Sequence, residues 1–283
     1  MFGKRADGKV IKGVDIFFKI IPHIMDKRSD SQVFFRSDVE LNALDEYINK
    51  KEAEGIRITY MDIIYSALVR LIAERPALNR FVINGRVYSR NDIFLSLVIK
   101  KNMTDEAAET VVKLKFTGNE NIFEIKDKLQ NCILENKSNN TVNNTDKVAR
   151  IFNFVPNWML KISIGILKCM DKHGIMPKSI IEASPFHTSA FLTNVGSIGL
   201  DYIYHHLYNF GTTGLFISMG KKKKRYVYRE DDIVEEKCIS LGIVADERIC
   251  DGFYFASSLK IFAKYLKKPE LLEENFSKKE DIK

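Results

Sequence analysis

The chain has 283 residues, a net charge of +7 and 45% hydrophobic residues, the profile of a soluble globular protein long enough for one large domain or two small ones. Much of the positive charge sits in Lys221-Lys222-Lys223-Lys224-Arg225 and a Lys-rich C-terminus, without the aromatic interleaving of a base-stacking surface, so no nucleic-acid partner is expected. The four cysteines (Cys132, Cys169, Cys238, Cys250) have neither metal nor disulfide spacing, so no metal site is expected.

In chain order, residues 1–14 are basic and contain glycine, and read as an arm. They lack the apolar run of a signal peptide, which makes the cytoplasm the default compartment. Val14 to Met25 is apolar, and Pro22 argues against one uninterrupted helix there. Ser31–Arg36 reads as a strand and Val39–Glu54 as a helix ended by Gly55. Thr59, with Asp62 three residues on, predicts the N-cap of a broad apolar helix that stops at Pro76. Asn84-Gly85 between Phe81-Val82-Ile83 and Arg86-Val87-Tyr88 predicts a hairpin. Ile93–Lys100 reads as a strand buried on both faces, Val111–Phe116 as an alternating strand and Ile122–Leu134 as an amphipathic helix. Residues 135–147, with sequons at Asn136, Asn139 and Asn143, read as a polar loop.

The most apolar stretch, residues 151–175, is broken by Pro156, Lys161, Gly165 and Lys168. A membrane span is therefore not expected, and a buried helix is the first reading. A patch that contacts lipid or an acyl chain is the second, and membrane contact is not the expectation. Ala190–Gly199 reads as a strand that closes in a Gly-rich turn, and Gly214–Gly220 as a second strand that leads into the Lys run. The Lys run then reads as a solvated turn, with a nucleotide phosphate as the alternative partner. Tyr226-Val227-Tyr228 returns from it, Glu230-Asp231-Asp232 turns again, and Ile233–Ala245 is a further strand. Cys238 and Cys250 lie in or beside apolar runs and read as buried thiols. Helix Phe253–Leu266, Pro269 and a charged tail over 270–283 finish the chain. Hairpins mixed with crossovers predict one α/β or α+β domain over 1–283, with a large mixed sheet flanked by helices.

Charge clusters at one strand end, in Asp246-Glu247-Arg248-Ile249-Cys250-Asp251-Gly252. This cluster resembles the D-H-R-x-x-D-G signature of the 2-oxo acid dehydrogenase acyltransferases, and Cys250–Phe253 resembles the end of the H-x-x-x-D-G-[FY] motif of chloramphenicol acetyltransferases. Pro76-Ala77-Leu78-Asn79, Leu192–Gly199, Phe216–Gly220 and Pro269 resemble further motifs of the same group in the same order, so the resemblance spans roughly residues 30 to 270. It implies the chloramphenicol acetyltransferase-like fold, a homotrimer with sites between subunits, and acyl transfer from a thioester to a thiol, hydroxyl or amine. Coenzyme A or acyl-CoA enters as a substrate, and no cofactor is permanently bound. It also implies Thr193 as the hydroxyl that stabilises the tetrahedral oxyanion and Asp251 as the structural acid. Arg248 would be a salt-bridge partner, with Asn194 and Gly196 supporting the Thr193 turn. Lipoyl and subunit-binding domains are missing from the pattern, and residues 150–188 look like an insertion.

The family's catalytic His falls on Glu247. A thiol near ~8.5 gives its proton uphill to His by roughly 3 kcal/mol and to Glu by roughly 6 kcal/mol, and the difference amounts to about a hundredfold in rate. Burial near Asp246 and Asp251 would raise a carboxylate's affinity for the proton and recover part of it. Three readings follow. Glu247 is a retuned base; or another group, such as His187, His205 or His206, reaches the site; or the chain is an impaired relative, a trimeric acyl-CoA-binding or scaffold protein.

Overall fold

A computed structural model describes residues 5–100, 109–137, 155–229 and 232–282. The first residues of the expected arm, the sequons at Asn139 and Asn143, residues 151–154 and the Glu230-Asp231 turn lie outside these.

Among the described residues, nine strands form two sheets. In chain order β1 is Gly8–Val10, β2 Gln32–Glu40, β3 Arg80–Ile83, β4 Arg86–Arg90, β5 Ile93–Lys100, β6 Glu109–Phe116, β7 Ala190–Asn194, β8 Leu215–Arg229 and β9 Asp232–Asp246. The large sheet has the order β2-β9-β8-β7-β5-β6 and the small one β1-β4-β3. β7 runs parallel to β5 and β8, and every other neighbour is antiparallel. The expected mixed sheet is therefore present.

The helices are α1 (Ile16–Ile24), α2 (Asn42–Ala53), α3 (Tyr60–Glu74), α4 (Ile122–Lys137), α5 (Asn157–His173), α6 (Lys178–Ala183) and α7 (Gly252–Lys267). α3 starts where Thr59 and Asp62 complete a capping box. Ile63, Ile64, Leu68 and Ile72 of α3 are fully buried with Leu95 and Leu97 of β5, Ile217 of β8, Ile243 of β9 and Phe262 of α7 in the main core. On the other face of the sheet, residues 200–213 cross over β8 and β9. They close a smaller cluster of Phe191, Leu207, Phe216 and Val244.

Several expectations fail for identifiable reasons. α1 continues through Pro22, because Asp15 caps its first turn (Phe17 N donates to Asp15 Oδ1, 2.8 Å) and the ring is buried. Only one backbone bond near the helix end is lost. The N-terminal stretch is no free arm: Arg5 and Asp7 are buried and β1 pairs with β4. The tail is likewise laid against the body, with Arg80 gripping Asp281 at 2.6 and 2.8 Å. The Lys run is strand, not turn. Opposite it on β9, Glu235 takes Lys224 at 2.8 Å and Glu236 takes Arg225 at 3.0 Å, so cross-strand acids offset the last two charges of the run where the ladder continues. Finally, the described part of the 151–175 stretch forms α5 over Asn157–His173, but its apolar side chains are not buried: Trp158 is 65% and Ile162 54% exposed.

Candidate active site

The charged motif closes β9. Asp246 is its last residue, and the main chain turns at once into the N-terminus of α7. The Asp246 carboxylate is completely buried. Arg248 meets it through Nε and Nη2, each at 2.8 Å, and Arg28 Nε approaches to 3.4 Å. Ser31 Oγ donates to it at 3.0 Å. Burial pushes this carboxyl up, but the hydrogen bonds and charge of Arg248, with Arg28 behind, outweigh it and hold Asp246 below the ordinary carboxylate range. The remaining Arg248 donors reach the carbonyls of Met25 at 3.0 Å and Asp26 at 3.2 Å. Arg28 donates to the carbonyl of Tyr208 at 2.6 Å. The turn is thus pinned to three separate segments, and Arg28 and Ser31 are partners that no sequence motif signalled.

Glu247 stands on this fixed turn. Its backbone N–H donates to Ser31 O at 2.8 Å. Its side chain is exposed and has no hydrogen bond or ion pair among the described residues. The burial expected of it between Asp246 and Asp251 is absent in a single chain. Asp251 is also exposed and caps α7, accepting from Tyr254 N at 2.7 Å. Cys250 is buried between them, and burial pushes its thiol up.

Thr193 is near the end of β7 and half-buried, with Asn194 beside it. The Asn194 side chain accepts from Ser197 N at 3.1 Å and caps the short turn Val195–Ile198. A Cβ at Gly196 would lie 2.5 Å from Gly220 O, so only glycine lets this turn approach β8. Asn194 and Gly196 thus shape the turn that follows Thr193 at the strand end.

The register separates the two halves. Thr193 is level with Ser218 on β8 and Gly242 on β9. Glu247 lies five residues past Gly242, about 17 Å along the strands, and two strand spacings, about 10 Å, across. Thr193 and Glu247 therefore occupy opposite ends of the sheet and do not meet within one chain.

The candidate histidines do not complete the Glu247 end. His187 is fully buried, with Nδ1 2.8 Å from Ser184 Oγ and Nε2 3.3 Å from Asp171. Asp171 is in turn 2.7 Å from Arg5. The ring is enclosed in a buried network of Ser184, Asp171 and Arg5 that sequence reading did not anticipate, since Arg5 and Asp171 are 166 residues apart. His205 stacks on Phe216 at 4.0 Å and on His206 at 4.6 Å. Among the described residues no group of His, Cys, Asp and Glu could hold a metal ion.

Against known proteins, residues 182–273 match the family described as 2-oxoacid dehydrogenases acyltransferase (catalytic domain), a stretch that contains both Thr193 and Glu247. No curated protein matches the chain. Among solved structures, a probable dihydrolipoamide acetyltransferase from Listeria monocytogenes is 16% identical at a TM-score of 0.57, with 92% of this chain and 95% of that one covered. The dihydrolipoamide acetyltransferase of Azotobacter vinelandii is 11% identical at 0.60, covering 90% and 87%. A chloramphenicol acetyltransferase is 12% identical at 0.51, covering 94% and 99%. The chain thus has the fold shared by these acyltransferase cores. The Azotobacter enzyme is described by a serine, a histidine and an asparagine in its catalytic mechanism, the last two four positions apart.

Proposed function

We propose that the protein is a CoA-dependent acyltransferase whose site is completed between two copies of the chain in a trimer. The observation that carries this reading is the match of residues 182–273 to an acyltransferase catalytic domain, combined with the placement of Thr193 and Glu247 at opposite ends of one sheet. A second copy would bring its Glu247 end to the Thr193 end of the first. Exposed apolar side chains on the sheet face and on the segment after Thr193 (Phe34, Ile198, Leu200, Ile203 and Tyr204) support such a contact.

In this reading the carboxylate of Glu247 takes the proton of the acceptor thiol or hydroxyl. The acceptor attacks the thioester carbonyl, and the hydroxyl of Thr193 donates to the oxyanion that forms. Collapse of the tetrahedral species breaks the carbon–sulfur bond. The departing CoA thiolate takes the proton back, so CoA leaves as the free thiol. Asp246, Arg28 and Arg248 hold the turn that carries Glu247, and Asp251 starts the helix behind it. Glu247 is exposed in a single chain and would be shielded from water in the contact between copies.

The test is thiol release from acetyl-CoA and longer acyl-CoAs by wild type, Glu247→Gln and Glu247→His. The expected result is a loss of about a hundredfold or more with Gln and retained or increased activity with His. Activity gained only with His would mean an intact pocket without its base, and hence an acyl-CoA-binding relative. Silence in all three, with no CoA binding, would sink the acyltransferase reading.

A further inference from the structure

Helix α5 is where the chain departs from an ordinary globular surface. It precedes the stretch that matches the acyltransferase family. At 100° per residue, Leu160, Ser163, Leu167 and Asp171 share its inner side. Trp158, Met159, Ile162 and Ile166 share the outer side, and all four are exposed, Ile166 by 54%. Lys161, Lys168 and Lys172 form a stripe along one flank of this apolar face and are exposed as well. The helix's one acid, Asp171, is buried and held by Arg5 at 2.7 Å, so no acid of α5 faces outward; Asp26 lines the neighbouring cavity with Lys168 and Lys172, and Lys161 is away from it.

A second row of the same kind lies nearby. The C-terminal ends of α1 and α5 meet across a cavity of about 460 Å³ lined by Pro22 and His23 from one and Lys168 and Lys172 from the other. Along α1, Ile16, Phe17, Ile20 and Ile24 make one outward row, with Ile16 68% and Ile24 70% exposed, flanked by Lys19. The described helices include none long and apolar enough to cross a membrane.

We propose that the outer face of α5, with α1 beside it, docks on the surface of a bilayer that contains anionic lipid. The pairing of chemistries selects this occupant. Protein contacts deplete lysine, whereas a helix that lies in a membrane interface combines Trp and Ile on one face with lysines on the flank. The lysines meet anionic headgroups while the apolar side chains enter the boundary beneath them. Docking by α5 is independent of the acyl-transfer reading and would stand if Glu247 proved inert.

The test is flotation of the full-length protein with vesicles of phosphatidylcholine alone and of phosphatidylcholine with phosphatidylglycerol, at low and high salt. Ile162→Asp and Lys161→Gln/Lys168→Gln/Lys172→Gln change only exposed side chains, and circular dichroism verifies their folding. Binding to the anionic vesicles is expected, with loss at high salt. Replacing the three lysines should weaken partitioning by roughly a hundredfold, and Ile162→Asp should abolish it. Three results would overturn the proposal: protein that stays unbound with both vesicles at low salt, binding that survives Ile162→Asp, or an Ile162→Asp change that alters the oligomeric state with no vesicle binding in wild type. The last would identify the face as a contact between copies.

Discussion

The two ends of the central sheet are built from opposite materials. At the Asp246 end, a buried carboxylate is gripped by Arg248, Arg28 and Ser31, and charge fixes the turn. Around Thr193 itself no ion pair is formed among the described residues, and the buried Glu236 lies further out along β9 with Arg225. At the Thr193 end the backbone itself is compressed, with Gly196 against Gly220 and Gly242 against Ile203. Charge is used where a side chain must be held out from a tight turn, and glycine where a strand end must lie flush with its neighbour. In the proposed reading each end contributes one reactive group, Glu247 or Thr193, and neither suffices alone.

Removing the charge grip should have the largest effect. Asp246→Ala leaves Arg28 and Arg248 buried without their acid, and a loss of about 3–5 kcal/mol is expected in denaturant unfolding. Acid should weaken the same end in wild type. The folded-state pKa of Asp246 lies below its unfolded value of about 3.9, so its contribution is fully present above that value and is lost as pH falls through the folded pKa. Thermal melts of Asp246→Asn should start lower and lack this share of the acid slope; an unchanged slope would contradict the assignment. At the other end, Gly196→Ala forces its methyl group onto Gly220 O and should cost about 1–3 kcal/mol, with no change in the acid slope. Asp251→Ala removes a helix cap and should cost about 1 kcal/mol. The smallest effect on stability belongs to Glu247→Gln, within about 0.5 kcal/mol, although its effect on thiol release should be the greatest of the set. A stability loss as large as that of Asp246→Ala would make Glu247 a structural residue.

Much of this was legible in the sequence because it is local. The Thr59–Asp62 capping box, the Asn84-Gly85 hairpin and the Asp246–Gly252 cluster each announce themselves within a few residues. What escaped depends on distant partners. Arg28 and Ser31 sit in an unremarkable Arg-Ser-Asp-Ser turn and gain meaning only when β2 pairs with β9. The Lys run looks like a turn until β9 supplies Glu235 and Glu236. The apolar content of α5 was plain, but which way it faces was not, since periodicity marks a stripe without saying what covers it. The separation of Thr193 from Glu247 follows from strand register, which motif order along the chain does not reveal.

The central claim is that the two half-sites meet only between copies, and subunit complementation tests it most directly. Thr193→Ala and Glu247→Gln are each prepared alone and then mixed under conditions that exchange subunits. A site shared between neighbours in a trimer regains one intact Thr193–Glu247 pairing wherever the two variants meet in the right order, so an equal mixture should recover about a quarter of wild-type thiol release. No recovery in verified mixed oligomers, with both variants folded and the wild type active, would place the site within one chain and contradict the account.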